Sequence, residues 1–96
     1  MELESKEYSW AYVTEDRRLH TGPCELVYAY LVPSAATTDS ALYNGRSAAD
    51  EKIIDLKAAA VTGHKFTPKV PVYCEKGLFV DIGTSVSGVF IQWRGL

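Results

Sequence analysis

The sequence predicts an all-β protein, a small antiparallel β-sandwich of jelly-roll-like form, with one short helix around residues 47–60 as the competing local structure. Three observations lead there. Apolar residues alternate with a period of two in several short runs, as in strands with one buried face. Those runs are rich in Val, Ile, Tyr, Phe and Trp, which suit a pleated surface. Turn residues punctuate the chain at short intervals, without the alternating long helices that a parallel sheet requires.

Residues 1–6 read as a charged N-terminal tail, and residues 7–96 as a single domain. Tyr8 to Val13 forms the first strand, with Tyr8, Trp10 and Tyr12 on one face. Glu15 to Arg18 is a polar turn, and Thr21-Gly22-Pro23 a stronger break. Cys24 to Val32 is the longest clean alternation. Leu26, Tyr28, Tyr30 and Val32 share one face, and Val27, Ala29 and Leu31 the other. Both faces are apolar, which predicts a central strand covered on both sides. After a loop from Pro33 to Thr38, Ser40 to Tyr43 resumes a strand, and Asn44-Gly45 is a dipeptide of the hairpin-closing type.

The segment Ser47 to Ala60 carries two patterns. Ser47 and Asp50 resemble a helix cap, and Ile53, Leu56 and Ala60 recur at helical spacing. Lys52 to Lys57 also alternates, with Ile54 and Leu56 on one face, and the strand is the preferred reading. Pro68 and Pro71 then mark an edge strand or a strand entry, since proline donates nothing to a ladder. Val70, Val72 and Cys74 alternate, Gly77 interrupts, and Leu78, Val80 and Ile82 alternate with Phe79 and Asp81. Gly83 to Gly88 is a polar turn region. The last strand, Val89 to Arg94, turns Val89, Ile91 and Trp93 inward.

Composition narrows the function. The 96 residues are 47% hydrophobic and 23% charged, a globular balance with room for one core. The net charge is −2, and Arg17-Arg18 is the longest basic run, so no nucleic-acid partner is expected. Met1 to Glu7 lacks the apolar stretch of a signal peptide, and no run reaches the length of a membrane helix. The expectation is a protein that stays in the cytosol or leaves it inside something larger, without a membrane partner. Cys24 and Cys74, with no secretory signal, read as small buried hydrophobes; whether they pair is left open.

Catalytic, cofactor and metal sites are each expected to be absent. His20 and His64 sit beside turn residues, where a solvated surface imidazole is the default, and Cys24 and Cys74 alternate with core residues. There is no C-x-x-C or H-x-x-x-H pair for zinc. Gly83 to Gly88 lacks the Lys of a phosphate-binding loop, and Asp50-Glu51 lacks the further oxygen ligands of a calcium loop. An aromatic surplus remains. Tyr8, Trp10, Tyr12, Tyr28, Tyr30, Phe79 and Phe90 are too many for one thin core. With Leu78, Val80 and Ile82 and then Val89, Ile91 and Trp93 inside, Phe79 and Phe90 fall on outer faces, where apolar patches mark contact sites. Phe79, Phe90, Tyr28, Tyr30 and Trp10 are therefore the expected protein interface, and a sugar-binding module using exposed aromatics is the alternative.

Four stretches then resemble a diffuse group of small virion proteins of tailed bacteriophages. They are Gly22 to Ser34, Ala41 to Gly45, Val72 to Gly83 and Val89 to Trp93. The most specific pieces are Leu42-Tyr43-Asn44-Gly45, where Asn44 stands for the group's more usual Asp, and Lys76-Gly77-Leu78-Phe79-Val80. The resemblance implies a non-enzymatic capsid decoration (cement) protein or other minor head or tail component. Its partners would be the major capsid protein or a neighbouring virion protein, with assembly in the host cytoplasm. It also implies a strand for the middle segment, and high copy number makes a homo-oligomer the expected form.

Overall fold

The computed structural model describes residues 8–34, 38–58, 63–83 and 85–96, and none of these is helical. The expected N-terminal tail and Ala60 lie outside them. The described residues form nine strands: β1 (Ser9–Val13), β2 (Arg17–Thr21), β3 (Cys24–Pro33), β4 (Thr38–Asn44), β5 (Glu51–Ala58), β6 (His64–Phe66), β7 (Val72–Cys74), β8 (Gly77–Ile82) and β9 (Val86–Gly95).

Two antiparallel sheets pack face to face. One has the order β1-β9-β3-β6, with β7 pairing β3 as well; the other has the order β2-β8-β4-β5. The pairs are nested: β4 with β5, β3 with β6 and β7, β2 with β8, and β1 with β9. One long double strand is thus rolled so that successive pairs fall in alternate sheets, which is the winding of a jelly roll. The sixth position is shared by two short strands, β6 opposite Ala29–Leu31 and β7 opposite Cys24–Leu26.

Alternation accounts for the core. Val13 from β1, Leu26 and Leu31 from β3, and Val89 and Ile91 from β9 meet Leu42, Leu56, Leu78 and Val80 from the second sheet, all at most 1% exposed. Trp93 closes one end at 7%. The inward set expected for β9 is the observed one, and Leu78 and Val80 lie in the core with Ile82 packed at its margin.

The middle segment is strand β5. A lone helix there would bury one stripe, whereas β5 places Ile54 beside Leu42 and Leu56 beside Ser40 in the ladder and buries Leu56 completely. Pairing to β4 outweighs the helix propensity of Glu, Lys, Leu and Ala. The cap-like Ser47 and Asp50 instead close the β4–β5 turn. Ser47 Oγ accepts from Ala49 N–H, and Asp50 Oδ2 accepts from Arg46 N–H at 2.8 Å. That bond, foremost, holds the Asp50 carboxyl below its ordinary value. The connection runs from Asn44 to Glu51, so Asn44-Gly45 does not make a two-residue hairpin. Asn44 Oδ1 accepts from Lys76 N–H at 3.0 Å and ties this turn to the start of β8.

Three expectations on β2 and β3 are corrected. Arg17 and Arg18 belong to strand β2, at the edge beside β8, rather than to a turn. In β3 the register against β9 shifts between Leu26 and Tyr28, leaving Val27 as a bulge. The extra residue reverses the alternation: Leu26 is core, Tyr28 and Tyr30 face outward, and Ala29 and Leu31 face inward. Strand β3 is central in its sheet, but only its inner face is covered by the second sheet.

Candidate interaction face

Outward side chains of β1, β9 and β3 fall into register. Tyr12 pairs with Phe90, which pairs with Tyr30; Trp10 pairs with Gln92, which pairs with Tyr28. Phe90 is the hub. Its ring centroid lies 6.1 Å from that of Trp10, tilted by 32°, and 6.0 Å from that of Tyr28, edge to face at 63°. These spacings fall within the range of favourable aromatic pairs. Trp10 is nevertheless 67% exposed and Tyr12 46%, on an edge strand. The Tyr12 ring lies over Gly88 of β9, where a side chain would collide with it.

A polar border closes one end. Arg94 Nη2 donates to Glu25 Oε1 at 2.9 Å, the guanidinium sits 5.7 Å from the centroid of the Tyr8 ring, and Glu25 pairs across the ladder with Tyr73. Arg94 Nε is buried and has no acceptor among the described residues. The face is thus a partly exposed aromatic centre with a charged rim.

The structure therefore brings together four of the five predicted interface residues, Trp10, Tyr28, Tyr30 and Phe90, and adds Tyr12. It sets Phe79 apart. Phe79 is outward, as expected, but on the second sheet, where the row Arg18, Phe79, Tyr43, Lys52 crosses β2, β8, β4 and β5. The Phe79 and Tyr43 rings are 6.4 Å apart, Tyr43 is buried, and the Lys52 ammonium lies 5.9 Å from the Tyr43 centroid. Charged groups flank this pair, including the Lys52–Asp55 ion pair at 3.0 Å.

Asp39, Asp55 and Asp81 border a shallow cleft of about 130 Å³ on that second face. Burial, and then the neighbouring Asp16 carboxylate, push the Asp81 carboxyl above its ordinary value of 3.8. Asp16 is itself committed, since its Oδ1 accepts from Ile82 N–H at 2.8 Å. With its pKa raised on folding, Asp81 holds its proton to higher pH in the native state than in the unfolded chain. Its contribution to stability therefore falls as pH rises through that window and returns on acidification. Asp81→Asn, which mimics the protonated form, should raise the thermal unfolding midpoint at pH 7. The gain should vanish as the pH is lowered below the ordinary carboxylate range; a gain independent of pH would contradict the raised Asp81 value.

The candidate nucleophiles and imidazoles lie as follows. Cys24 and Cys74 are fully buried and directly opposite each other in the β3–β7 ladder. His64 pairs with Leu31 of β3, seven positions along the strand from Cys24, which is roughly 20 Å at strand spacing. Its Nδ1 accepts from Lys57 N–H at 2.9 Å. His20 pairs with Leu78 in the other sheet. The fold thus joins the thiols and keeps His64 far from them. Sequence separation gave no sign of the thiol pairing. Nor did it show the β1–β9–β3 register that gathers the aromatics. No protein-family model, no curated protein and no solved structure matches this chain.

Proposed function

We propose that this chain is a non-enzymatic structural component of a tailed-bacteriophage particle. It acts as a capsid decoration (cement) protein or other minor head or tail component, packing against the major capsid protein or a neighbouring virion protein. The observation that carries the reading is the outward aromatic cluster of Trp10, Tyr12, Tyr28, Tyr30 and Phe90 on one sheet. The opposite sheet presents Arg18, Lys52, Asp55 and Asp81. One face is thus suited to burial and the other to solvent. The resemblance of Leu42 to Gly45 and Lys76 to Val80 to small virion proteins supports the particle as the setting, and a homo-oligomer is the form that high copy number favours.

Sugar stacking is the competing use of exposed rings. It calls for near-coplanar platforms, whereas Trp10, Phe90 and Tyr28 meet at 32° and 63°. A corrugated surface of this kind suits interdigitation with side chains of another protein.

The test is incorporation into particles. The wild-type chain should co-purify with the phage particles of its source and be detected there by mass spectrometry. Trp10→Glu should lower its occupancy at least about tenfold, as loss of an interface anchor does, while the protomer stays folded. Phe79→Glu, on the other sheet, should leave occupancy unchanged. Absence of the wild-type chain from particles, or equal occupancy of the Trp10 variant, would overturn the reading; binding to a glycan array blocked by Trp10→Glu would replace it with the sugar-binding one.

A further inference from the structure

We propose that Cys24 and Cys74 are an intramolecular disulfide site, joining β3 to β7 when the folded protein meets a disulfide oxidant such as oxidised glutathione. The inference rests on the pairing and exposure of β7 and does not depend on the role of the aromatic face.

The two residues are direct cross-strand partners. Directly opposed antiparallel residues have Cα atoms about 4.5–5.5 Å apart, inside the range of roughly 4.4–6.8 Å that a disulfide spans. Their side chains share one face, since both are fully buried. Cys74 Sγ also lies 3.6 Å from the Val72 carbonyl oxygen, to which it donates. Two small hydrophobes buried for packing alone need not face each other; these do so although the chain between them crosses both sheets.

Access comes through β7. This strand has three residues, pairs only at Cys24–Leu26 of β3, and is bounded by Pro71 and by bends at residues 69–70 and 75–76. Val70 and Tyr73 on either side of Val72 are largely exposed. So short an edge strand has few contacts to break, and opens locally far below the cost of global unfolding. Of the two thiols, Cys74 is the readier nucleophile. The Cys24 S–H donates to a Cys74 thiolate and lowers the Cys74 value. The same hydrogen bond, then burial and the thiolate charge, push Cys24 up.

The chemistry balances by thiol–disulfide exchange. The Cys74 thiolate attacks one sulfur of oxidised glutathione, breaking its S–S bond, and one glutathione leaves. The Cys24 thiolate then attacks Cys74 Sγ and expels the second glutathione. The two cysteines lose two electrons, oxidised glutathione gains them, and the two thiol protons end on the released glutathione molecules.

The native protein should be incubated with excess oxidised glutathione, acid-quenched, and examined by intact mass, peptide mapping and thermal unfolding. The expected product is a chain lighter by two hydrogens, with the Cys24 and Cys74 peptides joined and no covalent dimer. Because the bridge closes a long loop, the unfolding midpoint should rise by about 15 °C and return on reduction. Cys74→Ala should show no such rise. Retained glutathione on the wild-type chain, cross-links between chains, thiols that react only in denaturant, or an equal rise in Cys74→Ala would each overturn the proposal.

Discussion

Gly77→Ala should destabilise the protein by about 3 kcal/mol or more, measured as a fall in the denaturant midpoint at unchanged m-value. Gly77 opens β8 at φ 136°, a backbone conformation that L side chains rarely adopt. A Cβ there would stand 2.5 Å from the His20 carbonyl oxygen and 3.1 Å from that of Gly45. Both obstacles are backbone, so neither can swing aside. The substitution would force β8 away from β2 on one side and from the β4–β5 turn on the other. It would also strain the Asn44–Lys76 hydrogen bond next to it. A loss below about 1 kcal/mol would mean that this corner relaxes freely and that the Lys76-Gly77-Leu78 motif is not fixed by packing.

The second large effect contrasts neighbours on β9. Ile91 is fully buried, between Ala11 of β1 and Ala29 of β3 in the ladder, and faces the second sheet. Ile91→Ala should cost about 3–4 kcal/mol, the transfer of the lost methyl groups plus the cavity they leave. Phe90, one residue earlier, faces out and packs against the Trp10 and Tyr28 rings. Phe90→Ala should cost no more than about 1–2 kcal/mol, mainly lost ring contacts with Trp10 and Tyr28. Urea unfolding of both variants decides it. The reverse order of losses would mean that the strand faces are exchanged, and the aromatic interface would fall with them.

Much of this fold is legible in the alternation, because a strand covered on one side must write its faces into its sequence. The β9 and β8 faces follow directly, and with them the outward placement of Phe90 and Phe79. What fails does so for identifiable reasons. A single bulged residue, Val27, inverts the alternation of β3, so Leu26 and Tyr28 part company although both sit on a clean period-two pattern. Strand β2 escapes notice because an edge strand can carry Arg17 and Arg18 without a charge penalty, and so looks like a turn. Strand β6, His64 to Phe66, is too short to show a period. The candidate face was half legible. Trp10, Tyr12, Phe79 and Phe90 could be assigned to a side of their own strands, the bulge hides the side of Tyr28 and Tyr30, and which sheet a strand joins is a property of topology. Phe79 and Phe90 look equivalent in sequence and end on opposite surfaces.

The nesting of strand pairs around the β4–β5 turn also sets an order of entropy losses during folding. Pairing β4 with β5 first closes a loop of only a few residues, and each later pair adds a short increment to a loop already closed. Bringing β1 and β9 together first would instead close nearly the whole chain at once, an extra cost of about 2 kcal/mol for a flexible segment. The inexpensive route zips outward from the turn held by Asp50 and Asn44 and leaves β1 until last. Three of the five outward rings, Trp10, Tyr12 and Phe90, belong to that last pair, so the aromatic surface is completed only when the rest of the sandwich is already in place.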